Sequence, residues 1–341
     1  MRRKPSTAET IDAARIEALF APLVDAKGLL VASSGGPDST ALLIMAAQWA
    51  KAPGRPKVEV ATVDHGLRPE ARGEAEAVGK LARRRGLAHR ILEWRGEKPK
   101  ARIQERAREA RYRLLAAEAR AIGADHIVTA HHADDQCETI LFRLLRGSGI
   151  AGLRGMAPFA LLDGLAVARP LLALRKSELV TYCRAEGEAY FEDPANEDPR
   201  FARTRLRRLA ALLAEEGFGP AEAARLSRRA ARMEEAVLRA TEAAASRLNL
   251  QTGGGLDALA LFAEPPEVAL RLLKAAILAA GGREAAAARL EQIEALAEAL
   301  QGKVAAGEAL RTTLGGLSLR LDAKGSLRID KAPPRRRSGK P

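Results

Sequence analysis

Two cysteines in 341 residues, Cys137 and Cys183, provide no disulfide framework. They lie far apart and form no CxxC pair, which disfavours zinc and iron–sulfur sites and fits a reducing cytoplasm. No apolar run approaches the ~20 residues that a membrane span needs. The basic start Met1-Arg2-Arg3-Lys4 is followed by no apolar stretch, so no export signal is read and a cytoplasmic location is expected. There is no internal repeat. Two common phosphate signatures are missing as well. No Gly-Lys-Ser/Thr ending follows the first strand-like segment, and the glycine spacing there is wrong for Gly-x-Gly-x-x-Gly.

What is present is a globular composition, 47% hydrophobic and 29% charged, long enough for two domains of ordinary size. The charge is one-sided: 56 Lys and Arg face 43 Asp and Glu, a formal net charge of +13. The stretch Lys80–Arg113 holds thirteen Lys/Arg against four acids, and Arg203, Arg205, Arg207 and Arg208 add an acid-free cluster. Clustered positive charge suits a phosphate backbone, and a solvated basic face is the bland alternative.

The apolar run Leu29-Leu30-Val31-Ala32 reads as a buried strand, and Ala41–Ala47 as a core-facing helix. Between them lies Ser33-Ser34-Gly35-Gly36-Pro37-Asp38-Ser39-Thr40. Glycines and a helix N-terminus bring backbone N–H groups to an anion, and Ser34, Ser39 and Thr40 add hydroxyls. Asp38 would repel a bare phosphate and makes sense beside a divalent cation or a cationic partner. Further strands are expected at Val58–Val63, His89–Trp94, Ile127–Ala130 and Leu165–Ala168, with helices at Glu70–Arg85 and Ala101–Ala121. Alternation of this kind means a parallel sheet, with ligands at its carboxyl edge. The loop at 33–40, Asp64-His65 and His131-His132 all follow strands, so one shared site is expected.

The segment Thr129–Thr139 packs His131, His132, Asp134, Asp135 and Glu138 together; on one helix, His131, Asp135 and Glu138 would share a face. Acids at a helix N-terminus also serve as simple caps. Arg108 and Arg111 share a helix face and suit a charge-rich phosphoryl transition state, or else are solvated partners of Glu105 and Glu109. The glycine-rich Arg143–Leu153 could close over substrate or simply cap its helix. Composition changes near Glu215–Pro220. Beyond it, helices at about 220–247, 265–280 and 283–301 and a β-hairpin over 315–329 are expected, then a basic disordered tail.

Ser34-Gly35-Gly36-Pro37-Asp38-Ser39 resembles the Ser-Gly-Gly-x-Asp-Ser pyrophosphate loop of the N-type ATP pyrophosphatases. With Val63–Arg68, Ala107–Tyr112, Ala130–Leu153, Arg169–Leu172 and Glu192–Asn196 followed by Arg203, the chain resembles the tRNA(Ile)-lysidine synthetase family over about residues 29–207. Thr204 departs from it, since the family usually has Asn after that arginine.

The resemblance implies an α/β protein: a PP-loop ATP pyrophosphatase domain over 1–215 and a smaller, mainly helical tRNA-binding domain with a terminal hairpin over 216–332, with the tail at 333–341. It implies that ATP, with Mg²⁺, adenylates the wobble cytidine of an isoleucine tRNA with a CAU anticodon, and that free L-lysine then displaces AMP. ATP would be held by Ser34, Gly35, Gly36, Pro37, Asp38, Ser39, Thr40, Asp64 and His65, and the metal by Asp38 and Asp135. Asp38, Arg111, His131, Asp135 and Glu138 would be catalytic, with Asp135 and Glu138 binding lysine. Arg108, Arg146, Arg203, Arg205 and Arg207 would contact tRNA. No membrane partner is expected, and a homodimer stays open. Two other readings compete: a tRNA thiolase, disfavoured by two isolated cysteines, and a non-catalytic RNA-binding protein, which leaves the Asp/His/Glu clusters unexplained.

Overall fold

The computed structural model describes residues 11–96, 98, 103–192, 202–249, 255–286 and 290–332, with the side chains of 202–203 and 282–286 excepted. The chain divides into two compact units, residues 1–231 and 232–341.

The first unit opens with α1 (Ala13–Phe20), and residues 1–10 lie outside the described residues. Then come β1 (Gly28–Ala32), α2 (Pro37–Trp49), β2 (Lys57–Asp64), α3 (Ala71–Arg84), β3 (Ala88–Glu93), α4 (Ile103–Ala121) and β4 (His126–Val128). The six-stranded sheet is completed by β5 (Phe159–Leu162) and β6 (Leu165–Ala168) and runs β3-β2-β1-β4-β6-β5. Every pairing is parallel except β5 with β6, a hairpin turned by Asp163 and Gly164, both at positive φ.

Burial on both faces explains the continuous apolar run of β1. Leu29 and Val31 pack into one core with Phe20 and with Ala41–Ala47 and Trp49 of α2. Leu30 faces the opposite core, with Leu115 and Ala119 of α4 and Val167 of β6. Because β1 pairs with β2 on one side and β4 on the other, the segments leaving these three strands meet at one edge of the sheet.

Between β4 and β5 lie α5 (Ala133–Leu144) and α6 (Ile150–Leu153). After β6 come α7 (Lys176–Ala185), α8 (Ala202–Glu215) and α9 (Pro220–Arg247). The domain boundary expected at 215/216 instead falls at 231/232, inside α9. The reason is packing: Ala223 is buried with Cys137, Ile140, Leu141 and Leu206, and Leu226 packs against the same cluster.

The second unit continues with β7 (Leu256–Asp257), α10 (Ala258–Phe262), α11 (Pro266–Ala286), α12 (Leu290–Ala306), β8 (Leu310–Leu314), β9 (Leu317–Leu321) and β10 (Ser326–Lys331). The expected hairpin is β9–β10, but it belongs to a four-stranded antiparallel sheet ordered β7-β10-β9-β8. Gly315 and Gly316, read as the start of a strand, form the positive-φ turn joining β8 to β9. Leu317, Leu319, Leu321 and Leu327 of the sheet are buried against Leu272, Leu273 and Ile277 of α11 and Ile293 and Leu300 of α12. The tail at 333–341 lies outside the described residues.

Candidate active site

Ser33 N–H still donates to Ala61 O of β2 at 2.9 Å, after which the chain must turn sharply into α2. Gly35 makes the turn at φ +83°, and a Cβ there would lie 3.0 Å from Phe191 Cδ2 and 3.1 Å from Val78 Cγ2. Glycine is therefore required both by conformation and by space. Phe191 also donates its N–H to Gly35 O at 2.9 Å, so the segment after α7 lies directly on the loop. Pro37 occupies the first turn of α2, and Gly36 caps it without a side-chain hydrogen bond. Ser39 Oγ turns back to donate to Gly36 O and accept from Ser34 N–H, both at 3.1 Å, with Ser34 Oγ 3.2 Å away. Thr40 is buried and donates to Gly35 O at 3.3 Å. The result is a pre-shaped loop whose helix N-terminus is left without a side-chain acceptor, a geometry suited to phosphate oxygens.

Asp38 faces α5 across this loop. His132 is the N-cap of α5, and His132 N–H donates to Asp135 Oδ2 at 3.2 Å, so Asp135 closes a capping box. The His132 ring lies between three carboxylates: Nε2 is 3.3 Å from Asp38 Oδ2 and 3.5 Å from Asp135 Oδ2, and Nδ1 is 3.4 Å from Asp134 Oδ2. Burial opposes a charge on this ring, but hydrogen bonds to Asp134 and Asp38 and the charge of Asp135 outweigh it and push His132 up to about 10. Asp134 is in turn anchored by Lys176 N–H at 2.8 Å. His132 thus ties the phosphate loop to α5, its ring within 3.5 Å of three carboxylates.

Asp38 Oδ1 is buried and has no hydrogen-bond partner. A carboxylate oxygen so placed fits a cation shared with phosphate oxygens. Among the described residues no group of three or more His, Cys, Asp or Glu could hold a metal ion by itself.

Asp38 and Asp135 both approach the His132 ring, and the reading of His131 is corrected. Helix α5 begins at Ala133, so His131 precedes its cap, and the expected face shared by His131, Asp135 and Glu138 does not form. His131 Nδ1 instead hydrogen-bonds Thr129 Oγ1 at 2.9 Å. Glu138 is buried on α5 and accepts from Arg207 Nε of α8 at 2.8 Å. Arg207, expected to face tRNA, is turned inward, while Arg205 is exposed. The side chain of Arg203 and residues 193–196 lie outside the described residues.

At the end of β2, Asp64 Oδ1 accepts from Gly66 N–H at 2.8 Å, and His65 meets Trp94 edge to face at 5.9 Å. Burial and then the charge of Arg111 lower the pKa of His65, which favours its neutral form, and its Nδ1 is buried without a partner. Arg111 therefore stands near His65, and both it and Arg108 lie against the Tyr112 ring, at 5.5 and 5.0 Å. Arg146 is exposed at the end of α5 and covers Phe142 at 4.1 Å. The glycine-rich segment after it is tied down: Arg143 donates to Gly152 O and Gly155 O, and Gln136 bonds both the N–H and the O of Met156.

Sequence reasoning placed His132 in the cluster without a role of its own, and it left out Gln136 and Phe191, whose partners are remote in sequence. Both cysteines are buried, and burial pushes the Cys137 thiol up to about 11 and the Cys183 thiol up to about 12. Neither is poised as a thiolate.

Comparisons with known proteins agree with this picture. A PP-loop domain family matches residues 8–213. A tRNA(Ile)-lysidine synthase of a Methylobacterium species is 52% identical, covering 92% of this chain and 91% of that protein. One from a Bradyrhizobium species is 49% identical over 96% of this chain and 97% of that protein. Among solved structures, the U34-tRNA thiolase NcsA from Methanococcus maripaludis shares the fold, with a TM-score of 0.55 at 14% identity over 65% of this chain and 78% of that one.

Proposed function

The chain belongs to the tRNA(Ile)-lysidine synthase family of ATP-using tRNA-modification ligases, and from that premise we propose that it joins free L-lysine to the wobble cytidine of the CAU anticodon of an isoleucine tRNA. In the first half-reaction the cytosine O2 attacks the α-phosphorus of ATP, and the bond to the bridging oxygen breaks to release pyrophosphate. In the second, the ε-amine of lysine attacks C2 of the adenylated base, the C2–O bond breaks to release AMP, and a proton leaves the new nitrogen.

The observation that carries this reading is Asp38: a carboxylate inside a phosphate loop, with one oxygen on His132 and the other buried and unpartnered. The backbone N–H groups of Asp38 and Ser39 and the hydroxyls of Ser34 and Ser39 would cradle the pyrophosphate. Asp38, with Asp135, would hold magnesium, which when bound supplies charge neutralisation at the phosphates. Arg111 and His65 suit the nucleotide side of the site. Asp135 and Glu138 suit an ammonium that must be bound and then lose a proton before attack. His131, just outside α5, would orient the phosphates or relay that proton. Exposed Arg108, Arg146 and Arg205 would meet the tRNA backbone, and the second unit would add tRNA contacts of its own.

The test is incubation of the protein with ATP, labelled lysine and CAU-anticodon tRNA transcripts. Lysine-dependent AMP release and label in the tRNA are expected. Tight tRNA binding without either product would favour the non-catalytic reading.

A further inference from the structure

The buried carboxylate of Glu138 already carries a cation supplied by the fold. Its side chain is 10% exposed and accepts from Arg207 Nε at 2.8 Å, across 69 residues of sequence. The contact follows from helix packing. Leu206 of α8 is buried with Cys137, Ile140 and Leu141 of α5, and Ala210 and Leu213 pack on the same cluster. That packing turns Arg207 toward α5 and leaves Arg205 and Arg208 exposed. Burial works against the Arg207 charge, but the hydrogen bond to Glu138 and the charges of Glu138, Asp135 and Asp38 outweigh it and raise its pKa. Its guanidinium therefore sits in the field of the same acids that would receive a substrate ammonium. It is not sealed in, since 37% of the side chain is exposed.

We propose that Arg207 is a built-in plug of the amine site: in the free protein it occupies Glu138, and a tRNA phosphate beside α8 draws it away, so that lysine reaches Glu138 only once tRNA is bound. This rests on Glu138 belonging to the lysine-binding set proposed above. Three physical points support it. A buried carboxylate is costly unless a cation faces it, and Arg207 supplies one in the free protein. A guanidinium matches carboxylate and phosphate geometry about equally well, so it can exchange one for the other by side-chain rotation alone. It also stays protonated at any working pH, so the placeholder cannot act as a nucleophile in the substrate's position. Arg205 and Arg208 on the same helix supply the exposed charge that would bring a phosphate within reach.

The experiment is lysine titration by calorimetry on the full chain, without ATP, with and without a CAU-anticodon transcript, for the native sequence and for Arg207→Gln. The native protein should bind lysine at least tenfold tighter with tRNA than without. Arg207→Gln should bind it equally in both conditions, at close to the tRNA-bound affinity of the native protein. In turnover, the KM for lysine of the variant should stop depending on tRNA concentration. Weaker lysine binding by Arg207→Gln in both conditions would make Arg207 a mere support for Glu138 and overturn the proposal. If the variant does not fold, the native comparison still decides: equal lysine affinity with and without tRNA overturns it. Label incorporation by the native protein is measured alongside. Incorporation with tRNA-independent lysine affinity rejects the plug and leaves the ligase reading intact, whereas no incorporation rejects both.

Discussion

Asp38 Oδ2 lies 3.3 Å from His132 Nε2, while Asp38 Oδ1 is buried without a partner. The first contact fixes the carboxylate, and the second oxygen is left for a cation arriving with the nucleotide. Asp38→Ala should therefore abolish ATP-dependent adenylation and leave tRNA affinity within a few-fold. Pyrophosphate release and filter binding read the two separately. Undiminished pyrophosphate release at saturating magnesium would remove Asp38 from the metal site.

Gly35 carries a second prediction. Its φ of +83° costs an L-residue about 1–2 kcal/mol, and its Cβ would also press on Phe191 and Val78 at 3.0 and 3.1 Å. Gly35→Ala should lower the melting temperature and weaken ATP binding together, because the same turn aims the loop N–H groups. Gly54, also at positive φ but with nothing within 4 Å of its added Cβ, is the control. Gly54→Ala should lower the melting temperature less and leave ATP binding alone.

The nucleotide half of the site was legible in the sequence because its parts are local. Leu29–Val31, the glycine turn and the first turn of α2 form one continuous stretch, and burial on both faces of β1 leaves a plain apolar signature. Strand β5 was not legible, since it lies at the sheet edge with Leu161 85% exposed and shows no buried face to read. The start of α5 was misread because histidine is an uncommon cap, so His131 was taken into the helix. The Glu138–Arg207 pair joins two helices by tertiary packing, and no spacing rule reaches across it. The alanine-rich α9 hid the division of the chain for a similar reason: only contacts show that Ala223 and Leu226 belong to the first unit.

His89 should make folding sensitive to acid. Burial, and then the charge of Arg83, lower its pKa from 6.5 to about 4. Its Nε2 lies 2.9 Å from Thr62 Oγ1, and a Cβ on Gly79 would lie 2.7 Å from its Nδ1, so the ring is closely packed. A depressed pKa means that the unfolded chain takes up the proton first. The stabilising contribution is then whole above pH 6.5 and is lost as pH falls through about 4. Urea midpoints across that window should fall more steeply for the native protein than for His89→Gln. Parallel profiles would show that His89 titrates normally.

Binding to tRNA should depend steeply on salt. Arg108, Arg146, Arg205 and Arg208 are exposed in the first unit, within a chain of net charge +13. With ~6 phosphates neutralised, affinity should fall about a thousandfold between 50 and 200 mM salt. Arg205→Ala should lower the slope of log affinity against log salt by about one contact. A flat profile would take the basic face out of the reading.

Asp135 and Glu138 should separate the two half-reactions. Asp135 closes the cap of α5 and shares His132 with Asp38, so it belongs to the metal side as well as to the amine side. Glu138 lies one turn further along α5 and touches Arg207. Glu138→Gln should then leave tRNA- and ATP-dependent pyrophosphate release largely intact while lysine transfer drops sharply. Asp135→Asn should harm both halves. A purely capping role for Asp135 predicts something different: a loss of about 1 kcal/mol of stability, seen as a lower melting temperature, with unchanged rates per folded molecule. Measuring pyrophosphate release and lysine transfer separately, normalised to folded protein, distinguishes these. Equal slowing of both steps by Glu138→Gln would sink its assignment to lysine, because an acid that only binds the second substrate has no reason to slow a step in which that substrate takes no part.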